Sequence, residues 1–260
     1  MTTPKSKLKC QLKNDDDTDN TPIRIQRLAY WLAGYYNRSY IIKGFSEGFD
    51  VGYKGTLLPQ TVDNLASAHK LSEIVSEKIR KEIEAKRFVG PFSEKPFPLM
   101  QISPLGLVEK KTPGSYRMIH HLSFPEGHSI NDGIPEDSCN VKYASIQDAI
   151  KHVRSLGKKC YLAKTDISNA FRIINIHKSQ YHLFCFKWDG NYFYDRNLQM
   201  GCSSSCKIFE SFSTSLEWIA KNKLSIPNII HILDDFLIMD NTEEGCKKKL
   251  DRFIAVCGDM

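Results

Sequence analysis

The sequence predicts an α+β fold in which an antiparallel sheet is backed by helices. Three observations point to it. Short apolar runs meet at turn signals: Thr112-Pro113-Gly114-Ser115, Asp189-Gly190 and the acidic pair Asp234-Asp235. Apolar residues at helical spacing lie between those hairpins rather than within them. From residue 160 onward the order reads strand, hairpin, helix, hairpin, helix, which stacks helices against adjacent antiparallel strands.

Residues 1–20 carry a basic patch and then Asp15, Asp16 and Asp17 with almost nothing apolar to bury, so a disordered tail is expected. Residues 21–64 mix aromatics with glycines and form a folded N-terminal extension whose elements local signals do not fix. Between Leu65 and Phe88, Leu71, Ile74, Val75, Ile79 and Ile83 keep helical spacing. Lys78, Arg80, Lys81, Glu82 and Glu84 fill the other face, the basic residues read as solvated charge, and Gly90-Pro91 is expected to stop the helix.

ISPLGLVEKK and YRMIHHL flank a type II turn with proline and glycine at its centre. Ser145 and Asp148 suggest a capping box opening a helix whose face is Ile146, Ala149, Ile150 and Val153, with Gly157 ending it before the strand CYLAKTD. HLFCFKW and NYFYDRNL make a second hairpin about Asp189-Gly190. Ile208, Phe209, Phe212, Leu216 and Ile219 mark a helix that Pro227 keeps from running further. Ile229–Leu233 and Phe236–Met239 read as short buried strands reversing at the acidic pair. Cys246, Leu250, Phe253, Ile254 and Cys257 outline a last helix capped by Asn241 or Thr242.

A chain of 260 residues holds one domain with an extension, or two lobes. Its 36 Lys and Arg against 30 Asp and Glu, a formal charge of +6, permit a nucleic-acid partner without demanding one. No apolar run spans a bilayer and the start lacks a signal-peptide core, so an intracellular protein with mostly reduced cysteines is expected. Cys202 and Cys206 lack the further ligands a zinc site needs and read as small buried hydrophobes.

Asp234 and Asp235 concentrate charge inside an apolar run, where an unpaired buried charge is costly. Asp166 closes a second apolar strand, and if the two strands pair, the three acids converge. Carboxylates gathered in one place repel one another unless cations separate them. Magnesium fits such a set, being hard, oxygen-liganded and ready to share substrate phosphates. Two ions about 3.5–4 Å apart would suit in-line phosphoryl displacement. Taken singly, each motif is better read as a turn-capping aspartate or a polar hairpin tip.

KTDISNAF, LQMGCSSSCKIF and HILDDFL, in that order, resemble the three central palm motifs of reverse transcriptases, and SPLGLVEKKTPGSYRMIHHLS resembles the fingers hairpin that precedes them. The wording of SPLGLVEKK, HHLSFPEG and SINDGIP is most similar to retrotransposons of the DIRS type. The resemblance implies fingers over residues 65–159 and an incomplete, ferredoxin-like palm over 160–260. It implies Asp166, Asp234 and Asp235 as catalytic metal ligands with the carbonyl of Ile167, for two Mg2+ ions that Mn2+ could replace. Lys110, Lys111 and Arg117 would hold the incoming triphosphate, Phe171 would stand under the sugar and exclude a 2′-hydroxyl, and Met200 and Gly201 would border the nascent base pair.

The implied activity is RNA-directed DNA polymerisation. Its partners are an RNA or DNA template with primer and deoxynucleoside triphosphates, with no membrane and no indicated oligomeric state. The sequence departs from the family at Ile232, where tyrosine is usual, at Met200, where glutamine is frequent, and at His120 and His121, which replace valine and aspartate and need no metal. No match to a later palm lysine, primer grip, thumb or ribonuclease H domain follows before Met260. A non-catalytic nucleic-acid-binding fragment is the alternative reading, and an RNA-directed RNA polymerase is disfavoured by Phe171.

Overall fold

The computed structural model describes residues 21–58 and 62–260, so the tail expected over 1–20 lies outside the described residues. Among the described residues the three sheets are antiparallel and helices pack against them, as the α+β expectation requires. The extension folds into α1 (Ile25–Trp31) and α2 (Arg38–Glu47). Leu28, Leu32, Ile41, Phe45 and Phe49 from this segment are buried in the largest core cluster, where Phe45 meets Phe212 edge-on at 5.0 Å. The extension is therefore part of the main core.

The periodic stretch after Leu65 divides into α3 (Ala66–Lys70) and α4 (Ser72–Glu84), burying Val75 and Ile79. Gly90 and Pro91, expected to stop a helix running to Phe88, instead lie inside β1 (Phe88–Phe92). The reason is tertiary. Phe88 packs against Phe186 at 4.8 Å, and the β1 register shifts between Val89 and Phe92, which accommodates a proline that has no N–H to donate. Gly90, at φ +143°, runs so close to its partner that an added Cβ would lie 2.5 Å from Phe193 Cδ1.

The first predicted hairpin forms β2 (Leu105–Glu109) and β3 (Tyr116–His120), in continuous register. Gly114 takes the positive φ, +73°, that the type II turn requires. Both halves of the Ser145–Asp148 capping box are present at α5 (Ile146–Leu156), and Gly157 ends it at φ +87°. Ile146, placed by periodicity on the packed face, is 71% exposed, and Ala149 is the buried residue of α5.

β4 (Tyr161–Asp166) precedes the hairpin of β5 (Cys185–Trp188) and β6 (Asn191–Asp195), which joins β1 in the order β1–β6–β5. This sheet draws strands from both sides of residue 160. α6 (Ser205–Lys223) buries all five apolar positions read from its sequence. β7 (Ile229–Ile232) and β8 (Asp235–Asp240) follow, and the third sheet has the order β4–β8–β7. α7 (Glu243–Asp259) is capped by Thr242, whose hydroxyl accepts from the Gly245 N–H at 3.0 Å. Phe253 and Val256 face the core, whereas Ile254, assigned to the same face, is 47% exposed.

The seven cysteines among the described residues are free, and Cys185, Cys202 and Cys246 are buried. No described helix is long and apolar enough to cross a membrane.

Candidate active site

Asp166 ends β4 and is the register partner of Asp235, the first residue of β8. Just beyond, the Ile167 N–H donates to the Asp234 carbonyl at 3.2 Å, so a single backbone hydrogen bond ties the strand end to the hairpin turn. The turn consists of Leu233 and Asp234, with Leu233 at φ +52°, a conformation L-residues visit at a cost. Asp166 and Asp234 thereby line one cleft of about 740 Å³.

The same cleft is lined by Lys110, Arg117, Ile167, Phe171 and Met200. Arg117 donates from Nη1 towards the Met200 sulfur at 3.6 Å, bringing the β2–β3 hairpin over the segment that leads into α6. Phe171 is buried, its ring 5.0 Å from that of Phe209. Three residues named from the sequence are not among those lining the cleft: Lys111, Asp235 and Gly201. Lys111 is exposed beside the hairpin turn, and Asp235 pairs with Lys164 at 3.0 Å. An added Cβ on Gly201 would lie 3.3 Å from the His120 carbonyl, so the glycine already serves close packing against β3.

Among the described residues no group of three or more His, Cys, Asp or Glu side chains could hold a metal by itself. Magnesium, however, is commonly held by one or two carboxylates, with waters and substrate phosphates completing the shell. Asp166 and Asp234 fit that open donor set. The Ile167 carbonyl accepts one hydrogen bond, from the Ala170 N–H at 3.2 Å, which leaves its second lone pair available.

Several cleft residues were not singled out from the sequence as site residues. Lys78 and Lys81 of α4, read as solvated, face the cleft alongside Lys110. Burial, and then repulsion from Lys110 and Lys81, lowers the Lys78 pKa, with Glu77 and Glu82 acting in the opposite sense. The only sequence signal was their i, i+3 spacing on one helical face.

Beneath the rim runs a buried ionic network. Arg172 makes a bidentate pair with Asp195, at 2.7 and 3.1 Å, and also contacts Glu82 at 2.8 Å. Arg87 grips Glu82 with two further bonds of 2.7 and 2.8 Å. Burial by itself would raise the Glu82 carboxyl, but the two arginines bring it down to about 2. Burial likewise works against the Arg172 charge, and its two acidic partners outweigh that, raising its pKa.

Gln199 extends the network from Asp195 to His120, which it meets at Nδ1 at 3.1 Å. His120 Nε2 is 3.2 Å from the Cys185 carbonyl. Burial depresses the His120 pKa to about 4, so the imidazole is neutral, with Nε2 as donor and Nδ1 as acceptor. It is a strand residue that couples β3 to the cleft floor.

Residues 108–260 match the family described as "Reverse transcriptase (RNA-dependent DNA polymerase)". No curated protein matches the chain. Among solved structures, native prototype foamy virus protease-reverse transcriptase is 17% identical with a TM-score of 0.59, covering 80% of this chain and 25% of that one. The foamy viral protease-reverse transcriptase in complex with double-stranded DNA is 18% identical, with a TM-score of 0.57, covering 96% of this chain and 50% of that one. Its complex with an RNA/DNA hybrid is 15% identical, with a TM-score of 0.60, covering 96% and 33%. The chain thus spans a quarter to a half of the length of these structures, and at such identities the likeness is one of fold. Because the family match covers more than half of its residues, this chain belongs to the reverse transcriptase family.

Proposed function

We propose that the chain carries the nucleotidyl-transfer centre of an RNA-directed DNA polymerase, adding deoxynucleotides to a primer 3′ end on an RNA template or its DNA copy. The observation that carries this reading is that Asp166, at the end of β4, and Asp234, in the distant β7–β8 turn, line one cleft together with Lys110 and Arg117. A cleft lined by both acids and bases suits a substrate bound through cation-bridged phosphates. On this reading residues 65–159 act as fingers and 160–260 as palm.

Asp166 and Asp234 would hold Mg2+, or Mn2+ in its place, with the Ile167 carbonyl as a further donor and Asp235 available if Lys164 releases it. The two-ion arrangement would lower the pKa of the attacking 3′-hydroxyl and neutralise the charge that leaves with pyrophosphate. Lys110, aided by Lys111, supplies a point charge to the triphosphate, and Arg117 a planar fork for two of its oxygens. Phe171 closes the floor under the sugar and disfavours a 2′-hydroxyl. Met200 presents an apolar surface where a glutamine would offer hydrogen bonds, and Gly201 leaves the backbone close to the base pair. The wording of SPLGLVEKK, HHLSFPEG and SINDGIP favours a retrotransposon of the DIRS type as the source of this domain.

Primer extension on an RNA template with magnesium tests the reading. Asp166→Ala and Asp234→Ala are each expected to lower extension by roughly a thousandfold or more while unfolding cooperatively as the parent does. Equal extension by the parent and both variants would refute it.

A further inference from the structure

Asp234 sits one residue after the strained Leu233, and something must hold that turn in place. The Leu233 N–H donates to Oε2 of Glu210, on α6, at 2.9 Å. Glu210 is buried, 7% exposed, in the same core that α6 shares with β7 and β8. A carboxylate at that depth needs a counter-charge. His231 of β7 supplies it, with Nε2 3.2 Å from Glu210 Oε1 and Nδ1 bonded to Glu217, about two helical turns further along α6. Phe236 stacks on the His231 ring at 5.3 Å and closes the remaining side.

The result is a buried acid–imidazolium–acid row ending on one backbone amide. Asp234 is then fixed from both directions: the amide before it is held by Glu210, and its own carbonyl is held by the Ile167 N–H. Nothing else about α6 requires a glutamate at this depth, since the surrounding positions Ile208, Phe209, Phe212 and Ser213 are apolar or small.

We propose that Glu210, held in place by His231, is a positioning residue: it clamps the Leu233 amide and so keeps the Asp234 side chain aimed into the cleft. This inference rests on the polymerase reading for its purpose, although the clamp itself can be measured without catalysis. Glutamine at position 210 keeps a carbonyl acceptor for the Leu233 N–H, whereas methionine fills the volume without one.

The experiment compares the full chain with Glu210→Gln and Glu210→Met by amide hydrogen exchange and by Mn2+ titration of the cleft, with Asp234→Asn as the binding control. Glu210→Met is expected to speed exchange at Leu233 at least about tenfold relative to flanking β7 and β8 amides, and to weaken Mn2+ binding by a similar factor. Glu210→Gln should stay within about threefold of the parent in both. A merely structural role would change exchange across α6 and the whole sheet together, and would not distinguish glutamine from methionine beyond overall stability. Unchanged Leu233 exchange in Glu210→Met overturns the clamp. If the parent chain binds no Mn2+, the polymerase reading fails instead, and the exchange pattern alone decides the clamp.

Discussion

Single residues in this protein are held by charge more than their exposure in the sequence suggests. His231 is the clearest case. Burial opposes its protonation, but Glu210 and Glu217 outweigh burial and raise its pKa from 6.5 to about 9. A group whose folded pKa exceeds its unfolded value stabilises fully below the unfolded pKa, and that contribution is lost as pH rises through the folded one. Stability from His231 should therefore be complete below about pH 6.5 and gone above about pH 9, a change of roughly 3 kcal/mol for a shift of this size. Urea unfolding across that window should show the loss in the parent and not in a His231→Gln variant. His120 behaves in the opposite sense: it is buried without an acidic partner, stays neutral at ordinary pH and contributes orientation rather than charge.

Among the elements, β1 shows most directly how packing overrides local preference. Glycine followed by proline is a strong helix stop, yet here the pair occupies a strand whose register shift accommodates the missing N–H. Gly90 tolerates φ +143° and the close approach of the Phe193 ring and the Tyr192 carbonyl. Gly90→Ala should lower stability by more than about 1 kcal/mol, since the backbone conformation and the missing space both oppose a Cβ. Urea denaturation midpoints would measure it, and an alanine variant as stable as the parent would show that β1 can shift away from β6. α5 and α7, by contrast, begin where their caps say they should, because a hydroxyl bonding to an N–H two or three residues ahead is a local event.

Across the whole molecule, the Glu82–Arg87–Arg172–Asp195 network ties α4 to the strand that leads out of the β5–β6 hairpin and to the turn after β4. Two arginines balance two carboxylates, so the group is neutral as a set and expensive to break singly. Asp195→Asn leaves a buried arginine short of a partner and should cost about 3 kcal/mol or more. Replacing both members, as Arg172→Met with Asp195→Leu, should recover a substantial part of that loss, which thermal unfolding of the three variants would reveal. Additive losses in the double variant would mean that the two side chains do not act as a pair.

The amino-acid sequence by itself determined the hairpins, the capped helices and the apolar face of α6. Each of these depends on interactions within a few positions: Gly114 and Gly190 supply positive φ, Ser145 and Thr242 bond to the next turn, and α6 keeps a strict apolar period. Only the tertiary structure decided which distant segments share a surface. It placed Asp166 opposite Asp235, set Lys78 on the cleft rim, buried Arg172 against Asp195, turned Ile146 and Ile254 outward, and drew the 21–58 segment into the core. The physical reason is range. Turn geometry and helical period are fixed by neighbours along the chain, whereas strand partners and buried ion pairs are chosen by whichever arrangement hides the most apolar surface while leaving no charge without a counter-charge.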